Sequence, residues 1–241
     1  IIGNGSTLLV RDGGIRGLVL RISGGLNAIR REGDCLLVQA GASLAAVAAF
    51  ARDEGLSGMA ELGGIPGTVG GGVLMNAGAY GAELAQLVTQ AEGVSLSDGR
   101  RVIYPADRLD FAYRHSALMD AGVIITQATL ALTPGDPEAI RARMEECAKA
   151  RRDKQPLTLP SAGSTFKRPE GHFAAKLIDD CGLRGLTVGG AQVSEKHAGF
   201  IVNIGGATAR DMLELMRQVE QRVFEQTGVQ LEPEVRILGE D

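Results

Sequence analysis

Apolar positions in this chain mostly come in short blocks cut by glycine, and in three places they recur at helical spacing instead. Leu18 to Ile22 and Leu36 to Ala40 are glycine-bounded apolar runs and predict short strands. Ser43 precedes an alanine-rich stretch that ends at Gly55, which predicts a capped helix to about Glu54. Three further strands are predicted at Val88 to Leu96, Arg101 to Tyr104 and Val123 to Leu132, the first two joined by a turn at Ser97-Asp98-Gly99. Asp136 and Pro137 then cap and start a helix with Ile140, Met144 and Cys147 on one face. Ala174 to Cys181 predicts a short helix and Phe200 to Asn203 a strand. From Thr208 to Gly228, Met212, Leu215, Met216, Val219 and Val223 recur as the buried stripe of a long helix. Leu231 to Leu238 closes the chain as a strand-like run with alternating charges. The pattern predicts an α+β protein with a boundary at Thr133 to Pro137.

The stretch Gly63 to Gly81 departs from both periods. Eight of its nineteen residues are glycine, and no charged residue lies between Glu61 and Glu83. Bare backbone there lets another body come close, and successive N–H groups in such turns can hold a phosphate. With no charge at hand, the pattern favours a large, partly apolar ligand over a simple anion; tight turns between packed strands are the plainer alternative. Gly3-x-Gly5-Ser6-Thr7, between two apolar runs, is a second, weaker turn of the same kind.

Composition narrows the chemistry. The 241 residues carry 25 basic and 29 acidic side chains, a net charge of −4, which does not favour nucleic acid as a partner. Cys35, Cys147 and Cys181 are odd in number and far apart, which argues against a disulfide framework or a zinc site and for a reducing compartment. No apolar run is long enough to cross a membrane, so a cytoplasmic location is expected. No dinucleotide fingerprint, Walker loop, His-Glu-x-x-His or Gly-x-Ser-x-Gly is present. With three histidines in all, acid–base work falls on hydroxyl, carboxylate or lysine groups.

Six motifs then occur in a telling order: Gly3-x-Gly5-Ser6-Thr7-Leu8-Leu9-Val10; Gly64-Ile65-Pro66-Gly67-Thr68-Val69-Gly70-Gly71 with Met75-Asn76-Ala77-Gly78-Ala79-Tyr80-Gly81; Tyr113-Arg114-His115-Ser116; Ala162-Gly163-Ser164-Thr165-Phe166-Lys167-Arg168-Pro169; Gly189 to Ala198; and Leu231-Glu232-Pro233-Glu234-Val235-Arg236. Together they span nearly the whole chain, which resembles the bacterial UDP-N-acetylenolpyruvoylglucosamine reductases of peptidoglycan synthesis. The connection from Ser116 to Asp136 is short and lacks tyrosine, so the resemblance is to the subgroup without a tyrosine loop insertion.

The resemblance implies an N-terminally truncated FAD-binding domain of the vanillyl-alcohol-oxidase type over 1–134. A smaller α+β substrate-binding domain follows over 135–241, and its last strand, 231–238, brings a catalytic glutamate to the flavin. It implies NADPH-dependent, FAD-mediated reduction of UDP-N-acetylglucosamine enolpyruvate to UDP-N-acetylmuramate, with NADPH and a UDP-sugar as the partners and no metal, nucleic acid or membrane. Neither glycine motif contains His or Cys, so FAD is expected to bind non-covalently. The motif positions make Arg114, Ser164 and Glu234 catalytic. They assign Gly3, Asn4, Gly5, Ser6, Thr7, Gly64, Ile65, Pro66, Gly67, Thr68, Gly70, Gly71, Asn76, Gly78, Ala79 and Arg151 to the cofactor. Tyr113, Lys154, Lys167, Arg168, His197 and Arg236 go to the substrate, Lys154 near its diphosphate and His197 near its carboxylate. On the residues alone, Ser164 reads as a turn residue or helix cap, and Glu234 as a strand-surface charge paired with Arg236. A non-catalytic flavin or nucleotide-binding module, and an oxidase of the same fold, are the alternative functions.

Overall fold

The computed structural model describes residues 1–241, which form two units, each with a core of its own: Ile1–Gly5 with Val19–Arg151, and Ser6–Leu18 with Arg152–Asp241. The first unit is built on a five-stranded antiparallel sheet in the order Ile29–Glu32, Cys35–Gln39, Val123–Ala131, Val88–Ser95, Arg101–Pro105. Alternate positions Leu36, Val38, Ala128 and Leu130 are fully buried, as a half-buried sheet face requires. Helix α1 (Leu44–Asp53) buries Leu44, Val47, Ala48 and Ala51 in the same core. Ser43 Oγ accepts from Ala46 N at its start, and Gly55, at φ 66°, follows its end.

The glycine stretch holds a helix that the sequence pattern does not predict, α2 (Val69–Leu74). Three consecutive glycines disfavour a helix by about 1 kcal/mol each relative to alanine. Packing overrides this. A Cβ on Gly70 would sit 2.9 Å from Ala40 Cβ and 3.3 Å from Ala40 O, so glycine there lets the helix pack against the end of the Cys35–Gln39 strand, and Gly72 packs against Leu84. Thr68 caps it, its Oγ1 accepting from Gly71 N. Leu18 to Ile22, expected as a strand, makes only one bridge, Arg21 to Ile2, and Leu18 is 84% exposed. Helix α3 (Pro137–Lys154) starts where Asp136 accepts from Glu138 N and Ala139 N, and it buries Ile140 and Cys147.

The second unit packs helices α4 (Ala174–Asp180) and α5 (Ala209–Thr227) with a three-stranded antiparallel sheet, Thr187–Val188, Ala191–Val193, Ile201–Asn203. On α5 a Thr208–Asp211 capping box begins the helix and Gly228, at φ 71°, ends it. Leu215, Val219 and Val223 are fully buried between them, each contributing about 1.5–3 kcal/mol. Of the run expected as a strand from Leu231 to Leu238, only Arg236–Leu238 is one, paired in parallel with Leu8–Val10. Pro233 cannot donate to a ladder and stands ahead of it in an isolated bridge to Phe166.

Candidate functional site

In the first unit the two glycine motifs meet. Asn4 Nδ2 donates to Pro66 O at 3.4 Å, and Gly3 lies so close to Thr68 that no Cβ fits between them. A cleft of about 90 Å³ opens beside them, lined by Ile2, Gly3, Thr68, Gly70, Gly71 and Ile125 among others. Its walls are apolar and its glycine side is backbone. The N–H groups of α2 are not free for a phosphate: Val69 N donates to Ala42 O, Gly70 N to Ala40 O, and Gly71 N to the Thr68 hydroxyl. Arg151, at the end of α3, lies over Gly64, where a Cβ would meet its Cδ at 3.5 Å; burial lowers its pKa. Gly78 and Ala79 form a two-residue strand next to Tyr80, whose hydroxyl donates to Cys147 O at 3.1 Å.

Arg114 sits on a tight turn in which Ala112 and His115 exchange backbone hydrogen bonds. Its φ of 55° is a left-handed conformation that costs a non-glycine residue about 1–2 kcal/mol. The turn is held from below. Asn76, fully buried and itself at φ 43°, donates from Nδ2 to Ala112 O at 3.0 Å and accepts at Oδ1 from Ala85 N at 2.9 Å. Ser116, also fully buried, donates to Leu74 O at 2.8 Å. The guanidinium lies over the Tyr113 ring, 4.9 Å from its centroid. The amide of Asn76 thus makes one bond through its nitrogen and one through its oxygen to protein partners, and it braces the Arg114 turn. Sequence reasoning missed this role for Asn76 and Ser116, because their partners lie 36 and 42 residues away.

In the second unit a short antiparallel ladder brings Ser164 and Glu234 to neighbouring segments. Lys167 N donates to Glu232 O, and Glu234 N donates to Thr165 O, each at 2.8 Å. Ser164 is exposed beside Gly163, which has φ 84°. Thr165 is buried and does three jobs: its N donates to Gly199 O, its hydroxyl accepts from Ile201 N, and its carbonyl takes Glu234 N. Lys167 Nζ lies 3.2 Å from Glu232 Oε2, and the Arg168 guanidinium stacks on Phe173 at 3.9 Å. Arg236 N donates to Thr7 O, joining the Ser6-Thr7 segment to this strand.

Lys154 and His197 line one cleft of about 450 Å³ in the same unit, with Lys176, Arg184 and Lys196. Burial lowers the pKa of His197, whose Nδ1 accepts from Gly199 N and whose ring meets Phe200 edge-on. The neutral imidazole is the favoured form there.

Residues 1–103 match the FAD binding domain family, and residues 155–238 match the family described as UDP-N-acetylenolpyruvoylglucosamine reductase, C-terminal domain. The UDP-N-acetylenolpyruvoylglucosamine reductase of Pediococcus pentosaceus is 50% identical over 241 residues, 100% of this chain and 80% of that one. Those of Levilactobacillus brevis and Clostridium beijerinckii are 50% and 49% identical, again over 100% of this chain and 79% of theirs. The crystal structure of the reductase from Thermus caldophilus superposes with a TM-score of 0.86 at 41% identity, covering 98% of this chain and 83% of that one.

Proposed function

The chain belongs to the family of UDP-N-acetylenolpyruvoylglucosamine reductases, and from that membership we propose that it reduces the enolpyruvyl ether of UDP-N-acetylglucosamine to the lactyl ether of UDP-N-acetylmuramate, with FAD as cofactor and NADPH as hydride donor. The observation that carries this is identity of about 50% over the whole chain, so that both the flavin-binding and the substrate-binding parts are matched in one polypeptide. No helix is long and apolar enough to cross a membrane. The residues fit part of a flavin: the small apolar cleft beside the two glycine motifs, with bare backbone at Gly3, Gly70 and Gly71 and aliphatic walls at Ile2 and Ile125, suits an uncharged edge of such a ring system.

Bound FAD supplies two-electron transfer from nicotinamide to the substrate carbon. The chain's own groups bind, orient and protonate. We assign the pyrophosphate to the loops Gly3 to Gly5 and Gly64 to Thr68, with Arg151 beside Gly64, rather than to the α2 N-terminus, whose donors are engaged. Lys154 takes the substrate diphosphate, with His197 on the same cleft wall. Hydride arriving at the terminal carbon pushes charge onto the substrate carboxylate. Arg114 offers that carboxylate two parallel donors, and its strained turn fixes their direction before substrate arrives. Glu234 supplies a further hydrogen bond, and Ser164 delivers a proton to the adjacent carbon. An enolate is basic enough to take a proton from an alcohol.

Flavin colour tests this. The FAD-loaded protein is expected to bleach on anaerobic NADPH addition and to recolour on adding the enolpyruvyl substrate. A flavin that NADPH does not bleach would leave a passive binding module, and one recoloured by oxygen but not by substrate would leave an oxidase.

A further inference from the structure

The turn Ser194 to His197 is more firmly held than one substrate contact requires. Ser194 is 3% exposed, and its hydroxyl accepts from both Lys196 N and His197 N. Arg184, paired through two nitrogens with Asp179, reaches across to donate to Glu195 O at 2.6 Å. Lys196 leaves the turn altogether: its ammonium donates to Arg152 O at 2.6 Å.

That carbonyl has a specific need. In a helix the C=O of residue 152 accepts from the N–H four residues on, and that residue is Pro156, which has none. Pro156 thus orphans the Arg152 carbonyl two residues before Lys154, where α3 ends. A cation there also suits the negative end of the helix dipole. Lys196 and Lys154 line the same cleft, but the ammonium of Lys196 is committed to the helix end.

We propose that Lys196 is a positioning residue: by capping α3 at Arg152 it fixes Lys154, and with it the cation that takes the substrate diphosphate. This rests on the assignment of Lys154 given above. Pro156 removes the bond that would continue the helix from Arg152, and the Lys196 ammonium supplies a donor in its place. Lys196 also ties the His197 turn to the same helix end, so the two substrate-facing residues share one support.

A double-mutant cycle on the FAD-loaded protein tests it. Binding of the enolpyruvyl UDP-sugar is measured by calorimetry without NADPH, so that no turnover occurs, and melting temperature is recorded for each variant. Lys196→Ala is expected to weaken binding roughly tenfold in the wild-type background and less than about twofold in the Lys154→Ala background, since coupled residues are not additive. Lys196→Arg, which keeps a charged donor, should recover most of the loss. If the Ala variant does not fold, Lys196→Met, which keeps the apolar stem, replaces it. The same loss in both backgrounds would overturn the proposal and make Lys196 an independent contact or a general stabiliser. Unchanged binding in Lys154→Ala alone would instead remove the assignment of Lys154, and the proposal with it.

Discussion

The turn bearing Arg114 and the segment bearing Ser164 are held in different ways, and each would fail differently. The Arg114 turn has a strained backbone and is fixed by two buried side chains, Asn76 reaching it from a distant segment and its own Ser116 reaching out to Leu74 O. The Ser164 segment is fixed mainly by backbone, through the ladder of Thr165 and Lys167 with Glu232 and Glu234, to which the Thr165 hydroxyl and the Lys167–Glu232 ion pair are added. A guanidinium on a long, flexible stem must have its base fixed if its two donors are to be aimed. A short serine side chain goes wherever its backbone goes. The groups proposed to do the chemistry thus differ in the kind of support they need, and the two segments differ accordingly.

Substitutions can break or sharpen that contrast. Arg114→Ala should have the largest effect, lowering kcat by on the order of 10²–10³-fold with little change in substrate affinity, because its contribution is greatest once charge has developed. Steady-state kinetics that showed only a raised KM would make Arg114 a binding residue. Asn76→Ala removes the acceptor for Ala85 N and one of the two donors to Ala112 O and puts a poorer residue at positive φ, so denaturant unfolding should show a loss of about 1–3 kcal/mol, with kcat falling as the Arg114 turn loosens. Thr165→Val keeps the shape but removes the acceptor for Ile201 N, and should cost about 1–2 kcal/mol by the same measurement. Lys167→Met loses only a partly exposed ion pair with Glu232 and should stay within about 1 kcal/mol of wild type. A larger stability loss from Lys167→Met than from Asn76→Ala would reverse the comparison.

What could be read from the sequence was local. Ser43, Asp136, Thr208, Gly55 and Gly228 act on neighbours a few residues away, and their helices start or stop where the spacing predicts. Helix α2 could not be read, because Gly70-Gly71-Gly72 argues against a helix until Ala40 and Leu84 are known to lie against it. The apolar run at Leu18 to Ile22 misled for the opposite reason: hydrophobicity marks a strand only if a partner strand is there, and one bridge is all it makes. The candidate catalytic residues stood out through motif resemblance. The supports did not: Asn76 binds residues on both sides of it in the chain, Thr165 looks like an ordinary turn residue, and Lys196 answers a vacancy created by Pro156.

The most direct test of the account is single-turnover flavin absorbance in Ser164→Ala, with NADPH and the enolpyruvyl substrate added separately. Reduction by NADPH needs no proton at a substrate carbon and should proceed at nearly the wild-type rate. Reoxidation by substrate should slow by at least about 10²-fold. Equal slowing of both half-reactions, or of neither, would contradict the assignment of Ser164 as proton donor.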